Sequence, residues 1–248
     1  MMLDGPQVRF WQAPGAPTPP PPGFVQNLGQ ASANSGTSVS VPVTHEANTG
    51  NQVLVFVTTT TSRTVTSVTD SAGSVYVLKN AGHPASNSWL AYATLSAPLT
   101  SSDSVVVHYS SALASGNGSI AIVAEYSGLA TFLGSTSSTV NGYYAVLNMT
   151  VRGVVAPGAL VVATLRNGWS TLPVISPTAS WAKRLQVTYN AGPFAPTAGT
   201  ELLASVLADR IVTTVGTPVV SVTWSDAPAN PTPPGNGGYL ACWAFSLA

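Results

Sequence analysis

GNQVLVFVT (Gly50 to Thr58), followed by SVTDSAGSVYVL (Ser67 to Leu78), is the stretch that decides the fold class of this chain. β-Branched residues dominate both runs, and Asp70 to Gly73 supply the polar and glycine positions of a tight turn, so the unit reads strand, loop, strand, turn, strand. About 108 residues later the pattern returns as PGALVVATL (Pro157 to Leu165) and SPTASWAKRLQV (Ser176 to Val187), with Ala179-Ser180 where Ala72-Gly73 stood. Repetition is thus the first fact of the sequence.

Outward from this unit the chain is nearly all strand and turn. SVSVPV (Ser38 to Val43) places Val39, Val41 and Val43 on one face, and SVVVHYS (Ser104 to Ser110) does the same with Val105, Val107 and Tyr109. Val53 to Val57 is apolar without alternation, which suits a strand covered on both sides. SIAIVAEYSGLA (Ser119 to Ala130) supplies the next strand before Gly128 breaks it.

In the second half, AVLNMTVRGVVAPG (Ala145 to Gly158) corresponds to SVSVPV, PVVSVTWSD (Pro218 to Asp226) to SVVVHYS, and GYLACWAFSLA (Gly238 to Ala248) to SIAIVAEYSGLA. The offset drifts from about 108 to about 119, and the extra residues fall in NAGPFAPTAG (Asn190 to Gly199) and APANPTPPGNGG (Ala227 to Gly238), loops where insertions cost little. TELLASVLADRIV (Thr200 to Val212) carries helix formers at helical spacing, with Thr200 placed as an N-cap. Its counterpart NSWLAYATL (Asn87 to Leu95) alternates as a strand, and the repeat decides for β.

The predicted fold is all-β: an antiparallel, jelly-roll-like β-sandwich with internal duplication, preceded by a Pro-rich extended N-terminal arm. Residues 1–23 form the arm, 24–130 the first repeat and 131–248 the second. The repeats are either twin sandwiches or the two halves of one.

In the arm, APGAPTPPPPG (Ala13 to Gly23) forbids helix and sheet ladders and favours polyproline II, a stiff spacer. Ahead of it Val8, Phe10 and Trp11 sit on a segment too short to bury them. They are expected to dock on a partner or a neighbouring copy; the alternative is an arm that folds back on its own sheet or frays.

Charged residues make up 6% of the 248, and eight basic side chains balance eight acidic ones. Without a basic face, nucleic-acid binding is set aside. No apolar run approaches the ~18 residues of a membrane helix, so no membrane partner is expected. A surface so poor in charge favours contact with other chains. Cys242 is the single cysteine and alternates with Leu240 in an apolar strand, the setting of a buried structural thiol. The opening MMLDGPQVRFWQ lacks the basic start and apolar core of a secretory signal.

Catalytic patterns are missing from the sequence. No G-x-S-x-G occurs, since GWSTL (Gly168 to Leu172) fails at its last position. His45, His83 and His108 are scattered, and His45-Glu46 is not H-E-x-x-H, so no zinc site is expected. No D-x-D-x-D-G loop is present, and Asp70 and Asp226 read as turn residues that cap local amides. A hydrolase would have to draw on Glu125, Glu201 and Asp209, which lie on strands without the carboxylate pattern of sandwich-fold hydrolases. No catalytic residue, cofactor or metal ligand is therefore expected. Trp181, Trp224 and Trp243 continue apolar strand faces and read as core, whereas Tyr143, Tyr144 and Trp169 fall in loops and are the candidate glycan-facing aromatics.

GNQVLVFV, SVTDSAGSVYVL, IAIVAEYSGL, LADRIVTTVGTPVVSVTWSD and YLACWAFSLA together resemble a family of phage-encoded all-β virion proteins, found as head decoration or minor tail components. The resemblance spans Phe24 to Ala248. It implies a non-enzymatic structural protein of the virion, a capsid decoration or minor capsid protein partnered with the major capsid or tail protein, and it brings no catalytic residues. Particle symmetry adds the expectation of a homo-oligomer, a trimer first. The alternative is a carbohydrate-binding adhesin or tail-tip receptor-binding module.

Overall fold

The computed structural model describes residues 22–59, 63–81, 88–113, 118–140, 146–150, 158–169, 175–177, 181–190, 202–212, 219–224 and 238–248. Among these the chain forms sixteen strands and no helix. The first eight are β1 (Gly23–Ala33), β2 (Gly36–Pro42), β3 (Gln52–Thr59), β4 (Val65–Asp70), β5 (Val77–Asn80), β6 (Ser88–Thr94), β7 (Ser104–Leu113) and β8 (Ser119–Ser127). The second eight are β9 (Leu129–Val140), β10 (Val146–Thr150), β11 (Leu160–Trp169), β12 (Ile175–Pro177), β13 (Ala182–Asn190), β14 (Leu202–Ile211), β15 (Val219–Trp224) and β16 (Gly238–Leu247).

The first repeat builds a five-stranded sheet, β1-β8-β3-β6-β5, and a three-stranded one, β2-β7-β4. The second builds β9-β16-β11-β14-β13 and β10-β15-β12, the same orders displaced by eight strands. Every pairing is antiparallel. Strands 1-8-3-6 against 2-7-4 follow the jelly-roll order. β5 departs from it: after the turn at Asp70 to Gly73 the chain leaves the smaller sheet and pairs with β6.

Side-chain alternation on β3 shows how the layers stack. Val53, Val55 and Val57 pack with Val39, Val41, Val43, Val105 and Val107, closing the first sandwich. Leu54 and Phe56 point the other way, into a second core with Leu160, Val162, Leu207, Trp243 and Phe245. The two five-stranded sheets therefore lie face to face, each covered on both sides, which is why β3 from Val53 onward and the whole of β8 are buried without alternation.

TELLASVLADRIV becomes β14 for the same reason. It runs between β11 and β13, buried from Ser205 to Asp209, so apolar residues on both faces imitate a helical stripe. β9 follows β8 after Gly128 alone, whose φ of 65° turns the chain where a Cβ would lie 2.6 Å from the Pro22 side chain.

Three tyrosines sit in these cores. Burial, then the Asp70 carboxylate that accepts its hydroxyl, raises the Tyr76 phenol, and burial followed by Asp209 raises Tyr126. Burial pushes Tyr109 up to about 12, although its hydroxyl contact with Ser119 pulls the other way. Above pH ~10 the unfolded chain has released phenol protons that the folded chain still binds, so stability must fall as pH rises. Unfolding free energies from urea titrations between pH 8 and 11.5 should begin to decline near pH 9, where the unfolded chain releases the proton that the buried Cys242 thiol keeps, and fall more steeply above about 10, by about 1.4 kcal/mol per pH unit for each such group.

Candidate functional site

Of the residues singled out in the sequence, Val8, Phe10, Trp11, Tyr143, Tyr144, Glu201, Asp226 and His83 lie outside the described residues. Trp169 was expected in a loop; its backbone instead ends β11 in register with Leu202, because the β11–β14 ladder runs four residues past Leu165, the end of the apolar run PGALVVATL. Trp243 is fully buried and Trp181 nearly so, as core positions should be. Cys242 is buried too, and that burial raises its thiol pKa, which leaves little reactive thiolate.

The acidic side chains have structural work to do. Asp70 Oδ1 accepts the Ser74 amide at 2.9 Å, capping its turn as expected. Asp103 accepts from Ser71 and from the Thr100 amide and hydroxyl, contacts that hold its carboxyl below the usual range. Glu125 is fully buried on β8 and accepts three hydrogen bonds: from Gln26 Nε2 at 2.7 Å, the Asn48 amide at 2.8 Å and Asn51 Nδ2 at 2.6 Å.

Asp209 takes a bidentate Arg184 at 2.8 Å through both Nε and Nη2, and the Tyr126 hydroxyl at 3.1 Å. Glu125 and Tyr126 are consecutive strand residues with opposite side-chain directions, so the first sheet itself separates the two carboxylates. Glu125 and Asp209 share no cleft. The described histidines are peripheral: His45 meets Thr44 at 3.0 Å and His108 meets Thr69 at 3.3 Å.

Where the two five-stranded sheets end, the repeats diverge. Across the interface β1 lies by β13, with the Arg184 guanidinium 4.7 Å over the Phe24 ring, and β5 lies by β9, with Lys79 Nζ 5.0 Å over Phe132. A pseudo-two-fold exchanging the sheets exchanges these edges. Phe24 meets Tyr126 edge-on at 5.5 Å, and its twin Phe132 meets Phe245 edge-on at 5.6 Å. Tyr92, paired with Leu54, occupies the place that Asp209, paired with Val162, holds in the second repeat.

At the β1/β13 edge that place is closed by the Arg184–Asp209 pair. At the β5/β9 edge it is apolar and open. Tyr92 and Phe132 are only partly covered and lie 6.0 Å apart, and Val77, the register partner of Tyr92, is 42% exposed. Val75, two residues earlier on the same face, is 86% exposed, and Leu133, at the β9 bulge, 43%. β5 pairs with Trp89 to Tyr92 alone, so no strand flanks Ala93 and Thr94 on that side. Beside that edge, between Gly73–Val77 and Tyr92–Ser96, lies a groove of about 380 Å³ lined by Val75, Val77, Tyr92 and Thr94 among others.

The sequence conceals this site. Val75 and Val77 alternate with Tyr76 and Leu78, which turn into the first sandwich, and nothing local says that sheet β9-β16-β11-β14-β13 stops short of covering them. The pairing of β5 with β6 is a tertiary choice. No protein-family model, curated protein or solved structure matches the chain.

Proposed function

We propose that this chain is a non-enzymatic structural component of a virion, a capsid decoration or minor capsid protein, that docks through the β5/β9 edge. The observation carrying the reading is that open apolar edge, Val75, Val77 and Leu133 beside Tyr92 and Phe132, on a protein with 6% charged residues. Two further points support it. The motifs that resemble phage virion proteins lie largely on strands and turns, the parts that build a scaffold, and the carboxylates Asp70, Asp103, Glu125 and Asp209 are engaged in structural hydrogen bonds. Jelly rolls serve capsids and lectins alike, so the fold by itself is analogy.

The test is a double substitution, Val75→Lys with Val77→Lys, assayed by occupancy on particles assembled in cells carrying this chain's gene. Both side chains face solvent, so the urea midpoint should hold. Two valines that lose burial at about 1.5 kcal/mol each weaken docking roughly a hundredfold. Undiminished occupancy would refute the reading, and saturable binding of the same variant to a glycan array would put the adhesin in its place.

A further inference from the structure

We propose that the segment seated in the groove beside β5, between Gly73–Val77 and Tyr92–Ser96, is Val8–Trp11 of a second copy of this chain. The inference rests on the edge being a docking surface and adds what docks there.

Phe24 on β1, Tyr126 on β8, Gln52 on β3 and Thr94 on β6 are successive register partners, one row across the first sheet. The N-terminal segment therefore joins β1, with Pro22 against Gly128, at the same end of the sheet as the groove. Three strand spacings of ~4.8 Å put Thr94 ~14 Å from Phe24, and a fourth reaches ~19 Å.

The Pro-rich sequence Pro14 to Pro22 favours an extended spacer. Extended at ~3.1 Å per residue, the stretch from Pro22 to Trp11 would span ~34 Å, about twice the distance to the chain's own groove, a reach that suits the groove of a neighbouring copy. The segment suits the groove chemically: Val8 and Phe10, apolar and alternating with Arg9, match the apolar Val75, Val77 and Tyr92 that line it. An arm given to one neighbour and a groove filled by another is a head-to-tail contact, which makes a closed ring when the rotation closes.

Cysteine trapping tests this on the full chain. Phe10→Cys and Thr94→Cys proteins are mixed and oxidised with copper phenanthroline; Thr94 is exposed, and buried Cys242 stays in place in both. The expected product is a covalent pair of one chain of each kind, at least tenfold above that formed by Phe10→Cys with Ser40→Cys, an exposed control on β2. The chain carrying both Phe10→Cys and Thr94→Cys should give multi-chain products. Cross-linking no greater than the control, or a doubly substituted chain that closes only on itself, overturns the proposal. Either result alongside lost particle occupancy in the Val75→Lys/Val77→Lys protein would leave the docking edge standing and remove only its occupant.

Discussion

Trp243→Ala should lower the free energy of unfolding by about 3–5 kcal/mol, enough to consume much of a domain's stability. The indole is fully buried between the two five-stranded sheets, 5.8 Å from Phe56 and within the cluster of Leu54, Val162 and Phe245. Both walls of that layer are hydrogen-bonded ladders, so they cannot collapse into the space as a loop would. The indole Nε1 has no partner among the described residues, so lost packing accounts for the effect and Trp243→Phe should retain most of the stability. Ala124 occupies the twin position on β8, paired with Leu54 as Trp243 is with Val162, so one large and one small residue fill the layer together. Ala124→Leu should then cost about 1–3 kcal/mol through overpacking. Urea unfolding of the three variants checks this.

Glu125→Ala is expected to cost about 3–5 kcal/mol, because it strands several buried donors at once. The carboxylate ties Asn48 and Asn51, in the β2–β3 connection, and Gln26 of β1 to β8, and Gln26 also reaches the Glu46 carbonyl at 2.6 Å. Its two oxygens accept from all three donors, and that acceptor capacity is what the site uses. Glu125→Gln keeps the shape but turns an NH2 toward other donors, and its loss should fall between wild type and alanine. If the alanine variant unfolds at the wild-type urea midpoint, Glu125 is not the knot that holds this corner.

The layered fold was legible because its signals are local. Val39, Val41 and Val43, or Asp70 and Gly73, declare strand face and turn by their own chemistry. Duplication then supplied what local reading lacks, overruling the helical look of Leu203 to Ile211. β9 escaped notice because LATFLGSTSSTV, an edge strand, carries neither a long apolar run nor clean alternation.

The candidate site was hidden more deeply. It depends on β5 moving to the larger sheet and on Tyr92 standing where the other repeat has Asp209 paired to Arg184. Neither follows from spacing. Each carboxylate's partner, such as Asn48 for Glu125, is likewise fixed only by folding.

Set beside a control at the twin edge, particle occupancy of the Val75→Lys/Val77→Lys protein is the most direct measurement. Val25→Lys places charge at the β1 bulge, 40% exposed, where the Arg184–Asp209 pair closes the equivalent place. The expected result is a roughly hundredfold loss for the β5 variant and full occupancy for Val25→Lys. Equal occupancy for both, or a loss confined to Val25→Lys, would contradict the open β5/β9 edge as the working surface of the protein.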